Sequence, residues 1–262
     1  VRSYLAVARG STMIGMVYRF GFLASAVGNV IYLGVAYYLW KSVYADSAVI
    51  RGLTFDQTYL YVALGSTLFI VLKTYIDWSL SNEIREGIVA IYLVRPVDFQ
   101  LYMLASCVGF FLLSVTTVVV PTVLLVVFVF HVSIPLSAPL ALLPLSLVFA
   151  FVLTFCFDYG VGLSGFFTES IWGISIVKDS LVLVLSGALI PLQFFPNVIR
   201  DTLQWLPFQA VYYTPLSLVT LPDETWQHLV RLGVQTLWVV TLLAATRLLY
   251  HRAVKVLRIA GG

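Results

Sequence analysis

Long apolar runs dominate this chain, and they restrict what it can fold into more than any motif it contains. They cover residues 20–40, 58–78, 101–130, 140–166, 171–189 and 228–250. A bilayer core about 30 Å thick takes about 20 residues of α-helix or about 10 of a tilted strand, so runs of this length are helical spans, not barrel strands. Without water there, each backbone N–H and C=O must be paired inside its own helix. Only 10% of the residues are charged and 61% are hydrophobic, whereas roughly a quarter of a soluble domain is charged. The chain reads as an all-α integral membrane protein with six transmembrane helices in a single domain, residues 1–262.

The segments between the runs differ in kind. Residues 1–19 place Arg2 and Arg9 opposite Tyr4, Val7, Ile14 and Tyr18 on a helical wheel, the pattern of an amphipathic surface helix. The first span ends in Tyr37, Tyr38 and Trp40, as an interfacial aromatic belt would, and a polar loop follows to about Gln57. Arg2, Arg9 and Arg19 precede a run too long for a signal-peptide core, so the first span is expected to stay attached as an anchor. Pro121 removes one hydrogen bond inside the third run and should kink or break it. Residues 190–227 hold Pro191, Pro196, Pro207, Pro215 and Pro222 yet stay apolar, too broken to span and too greasy for a free loop. They read as re-entrant or interfacial outer helices, with Ile199, Leu203 and Leu206 on one face and Arg200, Asp201 and Gln204 elsewhere.

Lys and Arg near the span ends give an orientation. A cytoplasmic start puts Arg2, Arg9, Arg19, Arg85, Arg95, Arg247, Arg252, Lys255 and Arg258 inside, and leaves Lys41, Arg51, Arg200 and Arg231 outside. The positive-inside rule then places both termini in the cytoplasm. The net charge of +3 is topology on this reading, because no basic tract is flanked by stacking aromatics and nucleic acid is not an expected partner.

Several familiar patterns lack the context that would give them meaning. Gly160, Gly162 and Gly165 spell G-x-G-x-x-G, but inside an apolar run with no preceding strand, so close helix packing is the expected role. No Walker loop is present, and ATP is not expected to bind this chain. His131, His228 and His251 are dispersed without metal-ligand spacing, and Cys107 and Cys156 sit in apolar runs as small hydrophobes. No metal site or catalytic residue is assigned.

Charges in or beside the spans carry more weight. Lys73 and Asp77, four apart, are expected to pair as an anchor near the interface. Asp158, Lys178 and Asp179 are candidates for a part in transport, although their place toward the cytoplasmic ends also fits snorkelling and hydration. The polar stretch 79–100 is the strongest functional signal. Asn82 should cap a short helix with Glu83 in its first turn and Ile84, Ile88 and Ile91 on one face, and Pro96 should end it. Glu83 and Glu86 would then face a soluble partner.

These features, in this order, resemble the membrane subunit of an ABC exporter of the type-2 permease class. The matching residues include Glu86-Gly87 followed by Leu93 and Pro96, then Ser186 to Pro191, Phe195-Pro196, Leu206-Pro207-Phe208, and a basic tail. Leu93 to Val97 and Phe166 to Ser170 are similar to one bacterial branch of that class. The resemblance implies a separate ATP-binding subunit, which holds the ATP and Mg and docks on the coupling segment Glu83, Ile84, Arg85, Glu86, Gly87, Ile88 and Ile91. It implies a second permease chain, identical or related, and an outer gate at Ser186, Gly187, Pro191, Phe195, Pro196 and Pro207. The bacterial plasma (inner) membrane and its lipids are the implied setting, with no enzyme activity on this chain alone. A secondary transporter or channel working without an ATPase is the alternative reading.

Overall fold

The computed structural model describes residues 2–17, 19–94, 96–135 and 138–256. The expectations that involve Tyr18, Arg95 and Arg258 lie outside these residues, and those on the side chains of Arg19 and Leu93 likewise. The elements in chain order are α1 (Arg2–Val17), α2 (Arg19–Val43), β1 (Val49–Ile50), β2 (Leu53–Thr54), α3 (Phe55–Leu72), α4 (Ile76–Arg85) and α5 (Val89–Leu93). They continue as α6 (Phe99–Ser114), α7 (Val120–Phe128), α8 (Leu143–Leu163), α9 (Trp172–Leu185), α10 (Asn197–Leu203), α11 (Tyr213–Thr220) and α12 (Thr225–Ala253).

Among the described residues, five helical stretches are long and apolar enough to cross a membrane: Phe20–Val43, Phe55–Arg85, Phe99–Phe128, Pro139–Phe166 and Thr225–Ala253. They fall on five of the six expected spans. The run 171–189 instead forms α9, only 14 residues and about 21 Å at 1.5 Å per residue. It ends in a turn at Gly187, whose φ of +77° lies in the left-handed region glycine tolerates.

The polar loop after α2 contains a hairpin that the sequence reading did not anticipate. Val49 pairs with Thr54 and Ile50 with Leu53, across a two-residue turn in which Arg51 and Gly52 both have positive φ, the geometry that suits a twisted hairpin. Thr54 then starts α3 through a capping box with Gln57. Tyr37 is the hub of an aromatic cluster, its ring 4.8 Å from Phe130, 5.2 Å from Tyr59 and 5.5 Å from Phe55. The ends of α2 and α7 and the start of α3 therefore meet at one end of the bundle.

Pro121 does not break the third span. A π-helical turn over Val115–Val119 joins α6 to α7 immediately before it and takes up the ring that would clash with the preceding carbonyls. The hydroxyls of Thr116 and Thr117 donate to Leu113 O, both at 2.8 Å, and help satisfy the backbone there. Polar side chains fasten the bundle across helices. Asn29 on α2 donates to Thr67 on α3 and to Thr122 on α7, and Gln235 on α12 bonds Ser146 on α8 and Ala210 O.

Helix α1 packs along α6, with Gly15 against Phe110 and Leu113 near its end, and the buried residues of α1 are Ser11 and Gly15. Of the face expected to be apolar, Tyr4 and Val7 are half-buried toward α6 while Ile14 stays exposed, as do Leu5 and Met13. At the far end of that seam Tyr4 Oη accepts from the backbone N–H of Asp98, 3.0 Å away. Asp98 caps α6 by accepting from Leu101 N and pairs with Arg247 near the end of α12. Burial alone would raise the Asp98 carboxyl, but the Leu101 N–H and the Arg247 guanidinium together hold it below the ordinary carboxylate range. A depressed folded-state value contributes stability at neutral pH that is lost as pH falls through it. Asp98→Asn keeps a capping side chain but removes the charge that Arg247 pairs with, so it should cost about 0–1 kcal/mol and lower the thermal midpoint at pH 7, and the gap to the unmutated chain should close on acidification.

The proline-rich segment divides into an exposed and a buried half. Leu192–Phe194 forms one 3₁₀ turn, and α10 follows with Leu203 buried and Val198 and Ile199 exposed. All eight residues of α11 are buried among α3, α8 and α12.

Candidate functional site: a buried charge network at a broken helix

The stretch Phe55–Arg85 is not one continuous helix. Lys73, Thr74 and Tyr75 are non-helical, and Tyr75 takes a left-handed φ of +53°, a conformation that costs a residue with a Cβ about 1–2 kcal/mol. No Gly or Pro marks this break in the sequence. Its consequence is that Lys73 and Asp77 no longer share a helix face, so the expected pair between them does not form.

Both are drawn instead to α9. Lys73 Nζ lies 2.5 Å from Asp179 Oδ2, and Asp77 Oδ2 lies 3.0 Å from Lys178 Nζ. Lys178 also pairs with Asp158 of α8 and lies 2.8 Å from the carboxylate of its neighbour Asp179. Two hydroxyls complete the shell: Thr74 donates to Asp158 Oδ2 at 2.5 Å and Ser175 donates to Asp77 Oδ2 at 2.6 Å. The side chains of Asp77, Asp158 and Lys178 are 0%, 3% and 9% exposed, while Asp179 is 42% exposed. The centre is thus one buried ammonium held by two buried carboxylates, with the Lys73–Asp179 pair at its wetter edge.

The structure brings together the three intramembrane candidates Asp158, Lys178 and Asp179. It adds Lys73, Thr74, Asp77 and Ser175, which were not assigned to any such site. A charge count of the spans offered the only signal for the two added charges, since their partners lie about 100 residues away in sequence. Removing ions from water is costly, and the attraction repays it only where geometry and extra hydrogen bonds satisfy the group, as the two hydroxyls do here.

Small residues bring α4 close enough to α8 for this network. A Cβ on Gly162 would sit 3.1 Å from Asp77 Cα and 3.0 Å from Leu80 Cδ2, and one on Gly165 would sit 3.3 Å from Ser81 Cα. The G-x-G-x-x-G pattern is a packing seam, as expected, and Gly160 turns toward Thr246 of α12.

The expected coupling helix is divided in two. Asn82 lies inside α4 and accepts from Arg85 at 2.5 Å, so it caps nothing. The helix ends at Arg85, Glu86 follows as its C-cap, and Gly87 with φ +73° turns the chain into α5. Arg85, Glu86, Gly87 and Ile91 are exposed, whereas Ile84 and Ile88 are half-buried. Glu83 is half-buried too, its Oε1 accepting from Ser79. Of the outer residues, Ser186, Gly187 and Pro191 are buried, Phe195 is half-buried and Pro196 is exposed. Pro207 is half-buried, and Tyr61 Oη donates to Gly187 O at 2.7 Å.

No curated protein matches the chain. A family model described as ABC-2 family transporter protein matches residues 30–261, nearly the whole length, and the chain belongs to that family as a membrane-embedded transporter subunit.

Proposed function

We propose that this chain is the permease of an ATP-driven exporter, in which two permease chains enclose a path and a separate ATP-binding subunit supplies the energy. The observation that carries the reading is the elbow at Gly87, which presents Arg85, Glu86 and Ile91 to solvent at the end of a rigid helix. Acidic and apolar groups side by side fit a soluble partner with a basic rim and an apolar groove. ATP and Mg belong to that partner.

Six crossings, with both termini in the cytoplasm of a bacterium, are part of the proposal. In its support, α9 meets Asp77 through Ser175 and the turn after it meets Tyr61 through Gly187, so α9 runs antiparallel to the later part of α3 and the start of α4. The turn and the buried α11 complete the crossing that 14 residues cannot make alone. Tyr4, Asp98 and Arg247 then share the cytoplasmic end with the elbow. A second permease chain would cover the exposed face of α9, which carries Trp172, Val177, Leu181 and Val184. The segment from Ser186 to Pro207 would form the outer closure of the path.

Glu86→Lys combined with Ile91→Asp should leave the chain folded and reduce the ATPase that co-purifies from membranes by about tenfold or more, the loss of roughly 1.4 kcal/mol or more of contact energy. Undiminished assembly and ATP hydrolysis would remove the elbow from the interface. Ion-driven transport by the purified chain alone would replace the reading with a secondary transporter or channel.

A further inference from the structure

We infer that α4 is a lever between the elbow and α9, and that Ser175 and Lys178 are the positioning residues through which it grips α9. The inference rests on the docking reading only for what pushes the lever; the mechanical link stands on the geometry.

Four observations carry it. First, α4 is a ten-residue rod, about 15 Å long, with a left-handed residue just beyond each end, Tyr75 at φ +53° and Gly87 at φ +73°. Such residues absorb backbone rotation while the helix between them stays rigid. Secondly, the inner face of the rod, Leu80, Ser81 and Ile84, seats on Gly162 and Gly165, which put no side chain of α8 in the way of a small rotation. Thirdly, the polar ties of α9 converge on this one joint: Ser175 to Asp77, Lys178 to Asp77 and Asp158, and Asp179 to Lys73. Fourthly, α9 packs mainly on α8, and its other face carries exposed apolar side chains. Beyond the packing on α8 and the Tyr61–Gly187 bond past its end, α9 is held by this network, so displacement of Asp77 is passed to Lys178.

Coupling between two sites is reciprocal, so it is readable from either end. The full chain in lipid nanodiscs is suited to amide hydrogen exchange, with no ATPase present. Ser175→Ala removes one tie of Asp77 and should speed exchange at residues 86–91 by about fivefold or more, although that segment lies at the far end of α4. Gly87→Ala strains only the elbow backbone, because nothing lies within 4 Å of its added Cβ, and should change exchange across residues 172–185. Ser146→Ala, which cuts a buried hydroxyl tied to Gln235 instead, should leave 86–91 unaltered. Effects confined to α9 for the first variant and to the elbow for the second would overturn the lever. Should Ser175→Ala not fold, Lys178→Arg keeps the charge but not the compact three-way contact, and the same two readings decide. A chain whose elbow responds to Ser175 but whose ATPase is indifferent to Glu86→Lys keeps the lever and loses the motor. The converse pair of results keeps the motor and loses the lever.

Discussion

Lys178→Met should be the most damaging single substitution in the bundle, lowering the yield of folded chain and its thermal midpoint far more than loss of a surface charge. The ammonium it removes is shared by Asp77 and Asp158, both essentially without solvent. Breaking a buried pair by deleting one partner costs about 3–5 kcal/mol, because the remaining charge is left uncompensated. That is a large share of a total stability of about 5–15 kcal/mol. Two carboxylates are stranded here, not one. The contrasting pair is the half-buried Arg200 with the exposed Asp201 on α10, where neutralisation should cost about 0–1 kcal/mol. The cause can be separated from lost packing by adding Asp77→Asn and Asp158→Asn to Lys178→Met. The triple variant removes the stranded charges and should recover much of the loss, as replacement of whole buried ion sets often does. Thermal unfolding followed by size-exclusion chromatography in detergent measures all three. A Lys178→Met chain as stable as Arg200→Met would mean that water reaches the network and that it binds little.

Five of the six spans were legible because the bilayer imposes length and polarity directly, and these are properties of single segments. The tolerance of Pro121 was not, because a π turn that rescues a proline depends on the local backbone and on Thr hydroxyls, not on composition. The break at Lys73–Tyr75 was invisible for a related reason. No breaker residue marks it, and the strain at Tyr75 is repaid by contacts on α8 and α9 that only the folded chain assembles. The helix-spacing rule then misled, pairing Lys73 with Asp77 when tertiary partners at Asp179 and Lys178 were stronger. In the coupling segment, Gly87 was read as one helical residue among others, yet its left-handed conformation splits the segment and creates the elbow. The G-x-G-x-x-G stretch went the other way, since its role as a packing seam followed from its place inside an apolar run.

Gly109→Ala should detach α1 from α6, a large effect from one added methyl group. Its Cβ would lie 2.5 Å from Ala8 O and 2.5 Å from Thr12 N, and 2.7 Å from Ser11 Cβ. The first two are backbone atoms of a helix, which cannot swing aside as a flexible side chain would, so the whole of α1 has to move. Overpacking a tight contact costs about 1–3 kcal/mol. Here that outlay competes with a seam of small residues, Ala8, Ser11, Thr12 and Gly15, whose attraction is mostly van der Waals contact at close backbone approach. A shift of a few tenths of an ångström forfeits much of it. The hydrogen bond from Asp98 N to Tyr4 Oη, at the other end of the seam, should be lost in the same event. Arg247 and the α6 cap do not depend on α1, so the α12 end of this contact should survive. Hydrogen exchange separates the outcomes: protection should fall over residues 2–17 and hold over 99–114 and 225–253. Gly10→Ala is the matched control, since nothing lies within 4 Å of a Cβ there, and its better helix propensity should leave α1 at least as protected. Equal protection of α1 in the Gly109 and Gly10 variants would mean that the helix is held by lipid on its exposed apolar face and not by the seam.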